Sequence, residues 1–458
     1  MSNQVDAGAP RAVDVLVVGA GIGGLSAVAT AARAGAVVAV VEKLPAMGGS
    51  AALSAGMFWT APDHTSLKRR IPLGNHALGT RMVDGYDEAL AEIKEIGVRV
   101  ADEPTANVMT FGRGYSIDIA ALLSTCAETV TRAGGYVLVE HSLRRLLTDG
   151  GRVRGAEVRR GDGSLLIIEA PAVVLATGGF QGARDQLTQY LGRNADHLIL
   201  RSNPGSVGDG LRTARAAGAG GTTAMHSFYG HRLPFPMDRF ESEDYLPLTQ
   251  YHSSHSVLVD QDGRRFVDES LGDEIANQAL LDRPEARGVL IFDTEVRRTH
   301  GAAAPFPGVA AIDRFEAACA NGARTATAST LDELADVVAG WGIDSEELHR
   351  TLATYAAAAS EKSPRAGGVA MPAAPNVPTE APFHAVEVRP SITFTFGGLP
   401  ITSSGQVLDA DGVPVPGLFA AGVDVGGISN GGYAGGLAPS YITGRWAGAA
   451  ATAERENR

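Results

Sequence analysis

Short apolar runs and longer segments with helical spacing alternate along this chain of 458 residues. The apolar runs have the length of buried strands, and glycine or polar residues bound each of them. They are Val13–Val18, the run that ends at Glu42, Ala172–Leu175 and Val289–Phe292. The helical segments are Met82–Ile96, Ile117–Ala133 and most of Leu331–Tyr355. Strands and helices that alternate in this way predict an α/β fold.

Glycine marks the ends of several of these elements. Gly97 and Gly134 are placed to end the two earlier helices. Tyr136–His141 has the composition of a strand. The turn signals Asp149–Gly151 and Gly161–Gly163 then predict hairpins. Residues 136–169 therefore form a small antiparallel appendage in our prediction.

The first apolar run leads into the pattern Gly19-Ala-Gly21-Ile-Gly23-Gly24, a segment of helical composition, a second apolar run and Glu42. This is the βαβ fingerprint of dinucleotide binding with its context intact. Gly19 permits the tight turn, Gly21 lets the backbone approach a pyrophosphate, and Gly24 lets the helix pack close to the strand. The helix N-terminus attracts phosphate, and Glu42 is placed to bind ribose hydroxyls.

Composition excludes several classes of function. The net charge of −12 disfavours a nucleic-acid surface. Cys126 and Cys319 form no disulfide framework and no metal-binding spacing, which fits a reducing cytoplasm. Residues 1–12 lack the apolar core of a signal peptide, and no apolar run approaches the ~18 residues of a membrane span. We therefore expect a cytoplasmic protein with no membrane span.

Seven further motifs make the chain resemble the fumarate reductase / 3-ketosteroid dehydrogenase flavoprotein superfamily. They occur in that family's order and span almost the whole chain. They are Gly48-Gly49-Ser50-Ala-Ala-Leu-Ser54-Ala-Gly56, Ala176-Thr177-Gly178-Gly179, Gly208-Asp209-Gly210, Arg265–Glu269, Thr395–Gly398 and the pair Pro416–Gly422 and Gly435–Leu437. The resemblance implies FAD as the cofactor. Ser50 stands where respiratory relatives attach FAD through a histidine, so we expect the FAD to be bound non-covalently.

The resemblance and the fingerprint together predict the residues that bind FAD. They are Gly19, Gly21, Gly23, Gly24, Glu42, Lys43, Gly49, Ser50, Ser54, Gly56, Ala176, Thr177, Gly178, Asp209, Gly422, Asp424, Gly436 and Leu437. Asp424 lies one residue later than the acidic residue that many relatives use on the flavin ribityl chain. No metal site is predicted, because His226, His231, His252 and His255 fit no common zinc spacing.

A change in composition divides the chain. From about Met225 onwards aromatic residues and histidines become dense, and residues 361–382 carry five prolines, which is typical of a linker. We predict a Rossmann-like FAD-binding domain in residues 1–225 and 376–458, with an inserted α+β cap domain in residues 226–375. Such a cap can close over the flavin and exclude water.

Tyr433 is the first catalytic candidate. Fumarate-reducing relatives carry a histidine and an arginine where this chain has Phe394 and Tyr433, so the groups that bind a dicarboxylate are missing here. Ketosteroid dehydrogenases instead place a tyrosine in this glycine-rich loop. By that resemblance, the Tyr433 hydroxyl and the amides of residues 435–437 polarise a substrate ketone and make its α-carbon more acidic.

Arg297 supports the opposite interpretation. The segment Leu290–Arg297 resembles the part of the cap in which fumarate-type reductases place the arginine that protonates the substrate carbon. Glu269 resembles one member of the proton relay that feeds this arginine. The arginine expected soon after it is absent from Ser270–Glu274.

A desaturase also needs a proton acceptor on the cap. Tyr251, Tyr229, His252 and His255 are candidates by residue type, and we rank Tyr251 first because it leads into the Arg265–Glu269 motif. The resemblance suggests Tyr115 as a supporting tyrosine. A substrate carboxylate could meet Arg232, His252 or Arg297.

We therefore expect an FAD-dependent desaturase that introduces a double bond next to the carbonyl of a cyclic ketone, similar to 4-oxocyclohexanecarboxylate or a 3-ketosteroid. The α-proton goes to a base and the β-hydride to the flavin. The alternatives are an enone or fumarate-type reductase with an arginine acid, and a non-catalytic flavin-binding electron carrier. The expected partners are a small carbonyl compound and an electron acceptor, namely oxygen, a quinone or a carrier protein.

Overall fold

The computed structural model describes residues 9–238 and 240–454. Its helices are α1 Ile22–Arg33, α2 His64–Arg70, α3 His76–Asp84, α4 Tyr86–Glu95, α5 Ile119–Arg132, α6 Arg184–Leu191, α7 Asp209–Ala216, α8 Asp273–Leu281, α9 Thr294–Val296, α10 Arg314–Ala320, α11 Leu331–Ala339, α12 Ser345–Ser360 and α13 Leu437–Glu454. Within this described part of the chain, no helix is both long and apolar enough to cross a membrane.

Most strands are short, but the two strands of one hairpin and a single strand near residue 390 are longer. They are β1 Val15–Val18, β2 Val38–Val41, β3 Met57–Thr60, β4 Thr105–Val108, β5 Gly112–Ser116, β6 Tyr136–Leu138, β7 His141–Asp149, β8 Arg152–Arg160, β9 Leu165–Glu169, β10 Ala172–Leu175, β11 Ile199–Leu200, β12 Phe228–Tyr229, β13 Arg232–Pro234, β14 Val257–Asp260, β15 Gly288–Asp293, β16 Thr325–Ala328, β17 Arg365–Ala366, β18 Val369–Ala370, β19 Phe383–Ile392, β20 Phe394–Thr395, β21 Gln406–Leu408 and β22 Pro414–Ala420.

The chain folds into two compact units, and the first contains residues 1–190, 202–228 and 394–458. Its main sheet has the strand order β21-β22-β10-β1-β2-β6. All of its pairings are parallel except the one between β21 and β22. Strands β1, β2 and β10 are buried along their whole length, which explains why their sequences are continuously apolar instead of alternating.

The predicted hairpins of the first unit are present. Strands β7, β8 and β9 form an antiparallel sheet whose turns contain Gly150, Gly151 and Gly163, all with positive φ. The predicted helix over residues 82–96 is wrong in one respect. The structure has two helices there, α3 and α4, because Gly85 ends the first and precedes the second.

The second unit contains residues 191–201 and 229–393. Its sheet has the path β11-β19-β15-β14, and β13 and β16 also pair with β19. Alternate residues of β14 and β15 pack into two separate cores, which lie on the two faces of this sheet. The division differs from the predicted boundary at residue 376, because β19 pairs along its length with β13, β15 and β16.

Candidate functional site

The fingerprint glycines form the turn between β1 and α1. Gly19 has φ +102°, and a Cβ atom there would overlap the carbonyl oxygen of Ala176. A Cβ atom at Gly24 would overlap the carbonyl oxygen of Gly19. At Gly21 the nearest heavy atom to such a Cβ lies 4.0 Å away. Packing within the protein therefore requires Gly19 and Gly24, whereas Gly21 leaves open space at the start of α1, where a phosphate fits.

A second turn closes against this one. A Cβ atom at Gly23 would lie 2.9 Å from the Cα atom of Gly422, which follows β22 and has φ +65°. The Gly422 N–H donates to the Thr443 hydroxyl on α13 over 3.0 Å. The structure thus brings the early fingerprint and the late Gly422 motif together.

Glu42 follows β2 and is 9% exposed. Its carboxylate accepts hydrogen bonds from the backbone N–H groups of Ala20 and Leu44, each over 2.9 Å. These contacts hold the carboxylate beside the glycine turn and leave it lone pairs for a further donor, such as a ribose hydroxyl. Lys43 forms an ion pair of 2.7 Å with Asp209 at the start of α7.

Residues 48–56 form the loop after Glu42. The Ser50 hydroxyl lies 2.8 Å from the Ser202 hydroxyl. The Ser54 hydroxyl accepts a hydrogen bond from the Gly56 N–H over 3.1 Å. Gly49 and Gly56 both have positive φ, and a Cβ atom at Gly56 would overlap the carbonyl oxygen of Ile117. The loop therefore depends on glycine at these turns.

Asp424 joins two more of the predicted cofactor motifs. Its carboxylate accepts from the backbone N–H of Thr177, and from the Thr177 hydroxyl over 2.9 Å. The Gly210 N–H donates to the same hydroxyl over 2.9 Å. Burial raises the pKa of Asp424 to about 7. A buried carboxyl with spare lone pairs suits a polyhydroxyl group such as the ribityl chain, so the residues present fit FAD.

An aromatic cluster lies beside the last of these motifs. We define it as Trp59, Phe111, Phe394, Phe396 and Tyr433. The Tyr433 ring centroid lies 5.0 Å from that of Trp59, 5.8 Å from that of Phe394 and 6.2 Å from that of Phe396. Trp59 in turn contacts Phe111 edge to face at 6.0 Å. Tyr433 is 6% exposed, so its ring is packed on several sides.

The Tyr433 hydroxyl is held against the N-terminus of α13. A Cβ atom at Gly436 would lie 3.1 Å from the Tyr433 Oη atom and 3.3 Å from the Phe394 ring. Gly436 directly precedes Leu437, the first residue of α13. The N-terminus of α13, whose first N–H groups have no partner within the helix and which carries a partial positive charge, therefore lies next to the Tyr433 hydroxyl.

Tyr115 lies apart from the aromatic cluster. It stands opposite Phe58 in the pairing of β3 and β5, whereas Trp59 stands opposite Gly114. Neighbouring residues of a strand point to opposite faces, so Tyr115 and Trp59 lie on different faces of this sheet. Arg113 donates to the Tyr115 hydroxyl over 3.2 Å. The supporting role of Tyr115 remains a prediction that this placement does not favour.

Tyr251, in the second unit, contacts a buried arginine. Arg201 is 1% exposed and donates to the Tyr251 hydroxyl over 3.4 Å. It also donates to the hydroxyls of Thr249 and Thr393, over 2.8 and 3.0 Å. Burial raises the pKa of Tyr251 even though Arg201 acts in the opposite direction. Tyr251 is therefore a weaker base candidate than its position in the sequence suggests.

His231 has partners on both sides. Its Nε2 atom lies 2.6 Å from the Tyr229 hydroxyl, and its Nδ1 atom lies 2.8 Å from the Asp273 carboxylate. Asp273 also binds Arg232 and the Ser253 hydroxyl, each at 2.5 Å.

Sequence reasoning did not single out Asp273 or Arg201, because no motif contains them. The spacing of Tyr229 and His231 was a usable signal, since residues i and i+2 of an extended segment share a side.

The groups that would protonate a substrate in the reductase interpretation form ion pairs with other side chains of the second unit. Arg297 pairs with Asp313 at 2.7 Å and with Glu316 at 2.6 Å. Glu269 forms a bidentate ion pair with Arg265, with N–O distances of 2.9 and 2.6 Å. Its carboxylate also accepts a hydrogen bond from the Leu258 N–H. Both pairs hold these side chains in fixed positions. The acid role of Arg297 remains a prediction.

Comparisons with known proteins agree with the cofactor site. The family described as "FAD binding domain" matches residues 14–437. NADH:fumarate oxidoreductase of Klebsiella pneumoniae is 29% identical over 95% of this chain, which spans only 47% of that protein. 4-Oxocyclohexanecarboxylate 2-dehydrogenase of Sinomonas cyclohexanicum is 27% identical, with 91% of this chain and 88% of that protein covered.

Solved structures show the same fold. The 3-ketosteroid-Δ4-(5α)-dehydrogenase of Rhodococcus jostii RHA1, in complex with 4-androstene-3,17-dione, superposes with a TM-score of 0.73 at 23% identity. The superposition covers 96% of this chain and 97% of that one. The family match and the curated relatives confirm the superfamily resemblance predicted from the motifs, and the solved structure shows the same mixed helix and sheet fold.

Proposed function

We propose that this chain, which belongs to the FAD binding domain family, desaturates a cyclic ketone next to its carbonyl. It is an FAD-dependent oxidoreductase of CH–CH groups. The observation that carries the proposal is the Tyr433 hydroxyl, which lies beside Gly436 at the N-terminus of α13 within the aromatic cluster.

Tyr433 acts on the substrate carbonyl in this proposal. Its O–H donates to the ketone oxygen, and the first N–H groups of α13 stabilise the negative charge that develops there. Both effects weaken the neighbouring α C–H bond, so its proton can leave to a base. Bound FAD supplies the redox chemistry by accepting the β-hydride, which balances the new C=C bond. Gly21, Glu42 and Asp424 are the residues we expect to hold FAD.

The character of the cluster supports a ketone over a dicarboxylate. Five aromatic rings with a single hydroxyl suit the apolar ring of a cyclic ketone, whose oxygen can accept from that hydroxyl. Phe394 and Tyr433 bring no positive charge to pair with a carboxylate. The similarity to a 4-oxocyclohexanecarboxylate dehydrogenase agrees with this class of substrate.

The remaining assignments extend the proposal. We propose the second unit as the cap, or substrate, domain, within a Rossmann-like FAD-binding architecture. Oxygen, a quinone or a carrier protein would take the electrons from FAD. The cytoplasmic location also remains a prediction.

Anaerobic bleaching of the flavin band tests the proposal. The protein is mixed with cyclohexanone, 4-oxocyclohexanecarboxylate, a 3-ketosteroid, succinate or tricarballylate. We expect a ketone to bleach the band, and Tyr433→Phe to slow this by about 10²–10³-fold, the typical effect of losing one oxyanion donor. Tyr190→Phe is the matched control, because that hydroxyl contacts Arg215 at the surface of the same unit.

The reverse reaction is the second candidate, because a relative with 29% identity is a fumarate oxidoreductase. In this case dithionite-reduced protein would be re-oxidised by an enone or by fumarate, and no ketone would bleach the oxidised form. Arg297→Ala would then abolish re-oxidation. No response in either direction would favour the electron-carrier interpretation.

A further inference from the structure

We infer that Tyr229, His231 and Asp273 form a proton relay in the second unit, in which the Tyr229 hydroxyl exchanges the proton with the substrate. The inference rests on the proposed function for the identity of that substrate. Its basis is one continuous chain of contacts, 2.6 Å from Tyr229 Oη to His231 Nε2 and 2.8 Å from His231 Nδ1 to Asp273 Oδ2.

The partners determine where the protons are. Asp273 is ionised and can only accept, since Arg232 and the Ser253 hydroxyl also donate to its carboxylate. The proton of a neutral His231 therefore lies on Nδ1, where it points at Asp273. Nε2 is left as an acceptor, and the Tyr229 O–H donates to it. A Ser-His-Asp triad uses the same logic to activate a hydroxyl.

The surroundings keep His231 neutral near neutral pH. The charged and titratable groups around it are Asp273, Arg232, Arg201, Tyr229 and Tyr251. Burial lowers the pKa of His231 to about 4, although Asp273 raises it. Arg232 and His231 lower the pKa of Asp273 and outweigh the opposing effect of its burial. Near neutral pH the relay is thus a carboxylate, a neutral imidazole and a phenol.

Tyr229 is better placed for this role than Tyr251. The Tyr251 hydroxyl receives a hydrogen bond from Arg201, and a guanidinium cannot take a proton. The Tyr229 hydroxyl is bound to a base. The side chain of Tyr229 is also more exposed than that of His231, at 9% against 2%.

The proton transfer is balanced in both directions. In desaturation the α C–H bond breaks and its proton joins the Tyr229 oxygen, while the Tyr229 proton moves to His231 Nε2. The electron pair of the broken α C–H bond forms the second bond of the C=C group. The β-hydride leaves at the same time, in the redox step of the proposed function. Asp273 compensates the imidazolium that forms. In reduction the same relay delivers the proton to the α-carbon.

Single-turnover kinetics of the full-length, FAD-loaded protein test the inference. Tyr229→Phe removes only one oxygen atom, and we expect it to slow ketone bleaching by 100-fold or more. Exchange of the substrate α-hydrogen with D₂O should be lost in parallel, while FAD content and reduction by dithionite stay unchanged. Tyr355→Phe, another buried tyrosine of the second unit, is the matched control. Equal rates in the two variants would overturn the relay and leave the proposed function intact.

A second measurement does not depend on a ketone. In protein with ¹⁵N-labelled histidine, assigned with His231→Gln, His231 should be neutral at pH 7 and protonated at Nδ1. Asp273→Asn should change that tautomer if the variant folds. A proton on Nε2 in the wild type would overturn the relay. If no ketone reacts, the proposed function fails, and the relay is judged by this tautomer and by the effect of Tyr229→Phe on re-oxidation by an enone.

Discussion

Gly21 and Gly19 are both glycines of one turn, yet they are glycine for different reasons. Gly19 has positive φ and no room for a side chain, so the fold itself requires it. Gly21 precedes α1 with φ −73° and ψ −179°, an extended conformation that any residue adopts. Its Cβ position is 4.0 Å from the nearest protein atom. We therefore predict that the bound ligand, and not the fold, requires glycine at position 21.

This difference yields a prediction at the residue scale. Gly21→Ala should leave the thermal stability of the apoprotein unchanged, because the new methyl group meets no protein atom. It should weaken FAD binding by ten-fold or more, because the methyl group occupies the space of the phosphates. Titration with FAD, followed by quenching of flavin fluorescence, measures the affinity.

The control is Gly19→Ala, for which we expect loss of both folding and binding. If Gly21→Ala bound FAD as tightly as the wild type, the assignment of the pyrophosphate to this turn would be wrong.

At the scale of elements, the contact between α1 and α13 depends on small residues. A Cβ atom at Gly444 would overlap the carbonyl oxygen of Gly23, and one at Gly448 would overlap that of Ala27. Two glycines one turn apart thus let α13 lie directly on the backbone of α1. Because α1 begins at the phosphate turn and α13 begins beside Tyr433, this contact aligns two parts of the candidate site within the first unit.

Gly448→Leu should therefore lower the free energy of unfolding by about 3 kcal/mol, the upper part of the usual range for overpacking a tight contact. Ala449→Leu is the matched control, since Ala449 is the next residue of the same helix and is exposed. Thermal unfolding with saturating FAD compares the two variants. Equal midpoints would show that the two helices can move apart without cost.

At the scale of the whole molecule, the second unit buries a concentration of titratable groups. Arg201, Arg232, Arg314, His231 and His252 are all 2% exposed or less. Neither ring nitrogen of His252 has a hydrogen-bond partner in the described part of the chain. Burial, with Arg314 next in effect, lowers the pKa of His252 to about 3. This unit folds with His252 neutral, so acid should destabilise it.

The sign of the effect follows from proton binding. Below about pH 6.5 the unfolded chain binds a proton at His252, whereas the folded chain does not until about pH 3. Stability contributed by the neutral histidine is therefore present above pH 6.5 and is lost as the pH falls. Between pH 7 and 5 the wild type should lose about 2 kcal/mol more than His252→Phe, since each pH unit is worth about 1.4 kcal/mol per proton.

Urea unfolding of the two proteins at both pH values measures this difference. Comparison between variants is necessary because Asp424, whose pKa burial raises, acts in the opposite direction over the same pH range. Parallel pH profiles for the two proteins would contradict the prediction.

The sequence by itself determined the glycine turn between β1 and α1, the order of the cofactor motifs, the buried strands β1, β2 and β10, and the hairpins of β7, β8 and β9. These features are local, since strands buried on both faces are continuously apolar, and a turn with no room for a Cβ atom must contain glycine. Phe394 and Tyr433 could also be found in the sequence, because they replace charged residues at motif positions.

Only the tertiary structure decided the polar contacts of the second unit and the surroundings of Tyr433. Asp273 reaches His231 across 42 residues, and Arg201 reaches Tyr251 across 50. Trp59 contacts Tyr433 although the two lie near opposite ends of the chain. Burial without water is what makes each of these polar groups need a partner. The spacing of apolar residues along the chain does not specify which residue that partner is. Apolar residues elsewhere in the chain determine the sheet pairing and helix packing that bring the two partners together.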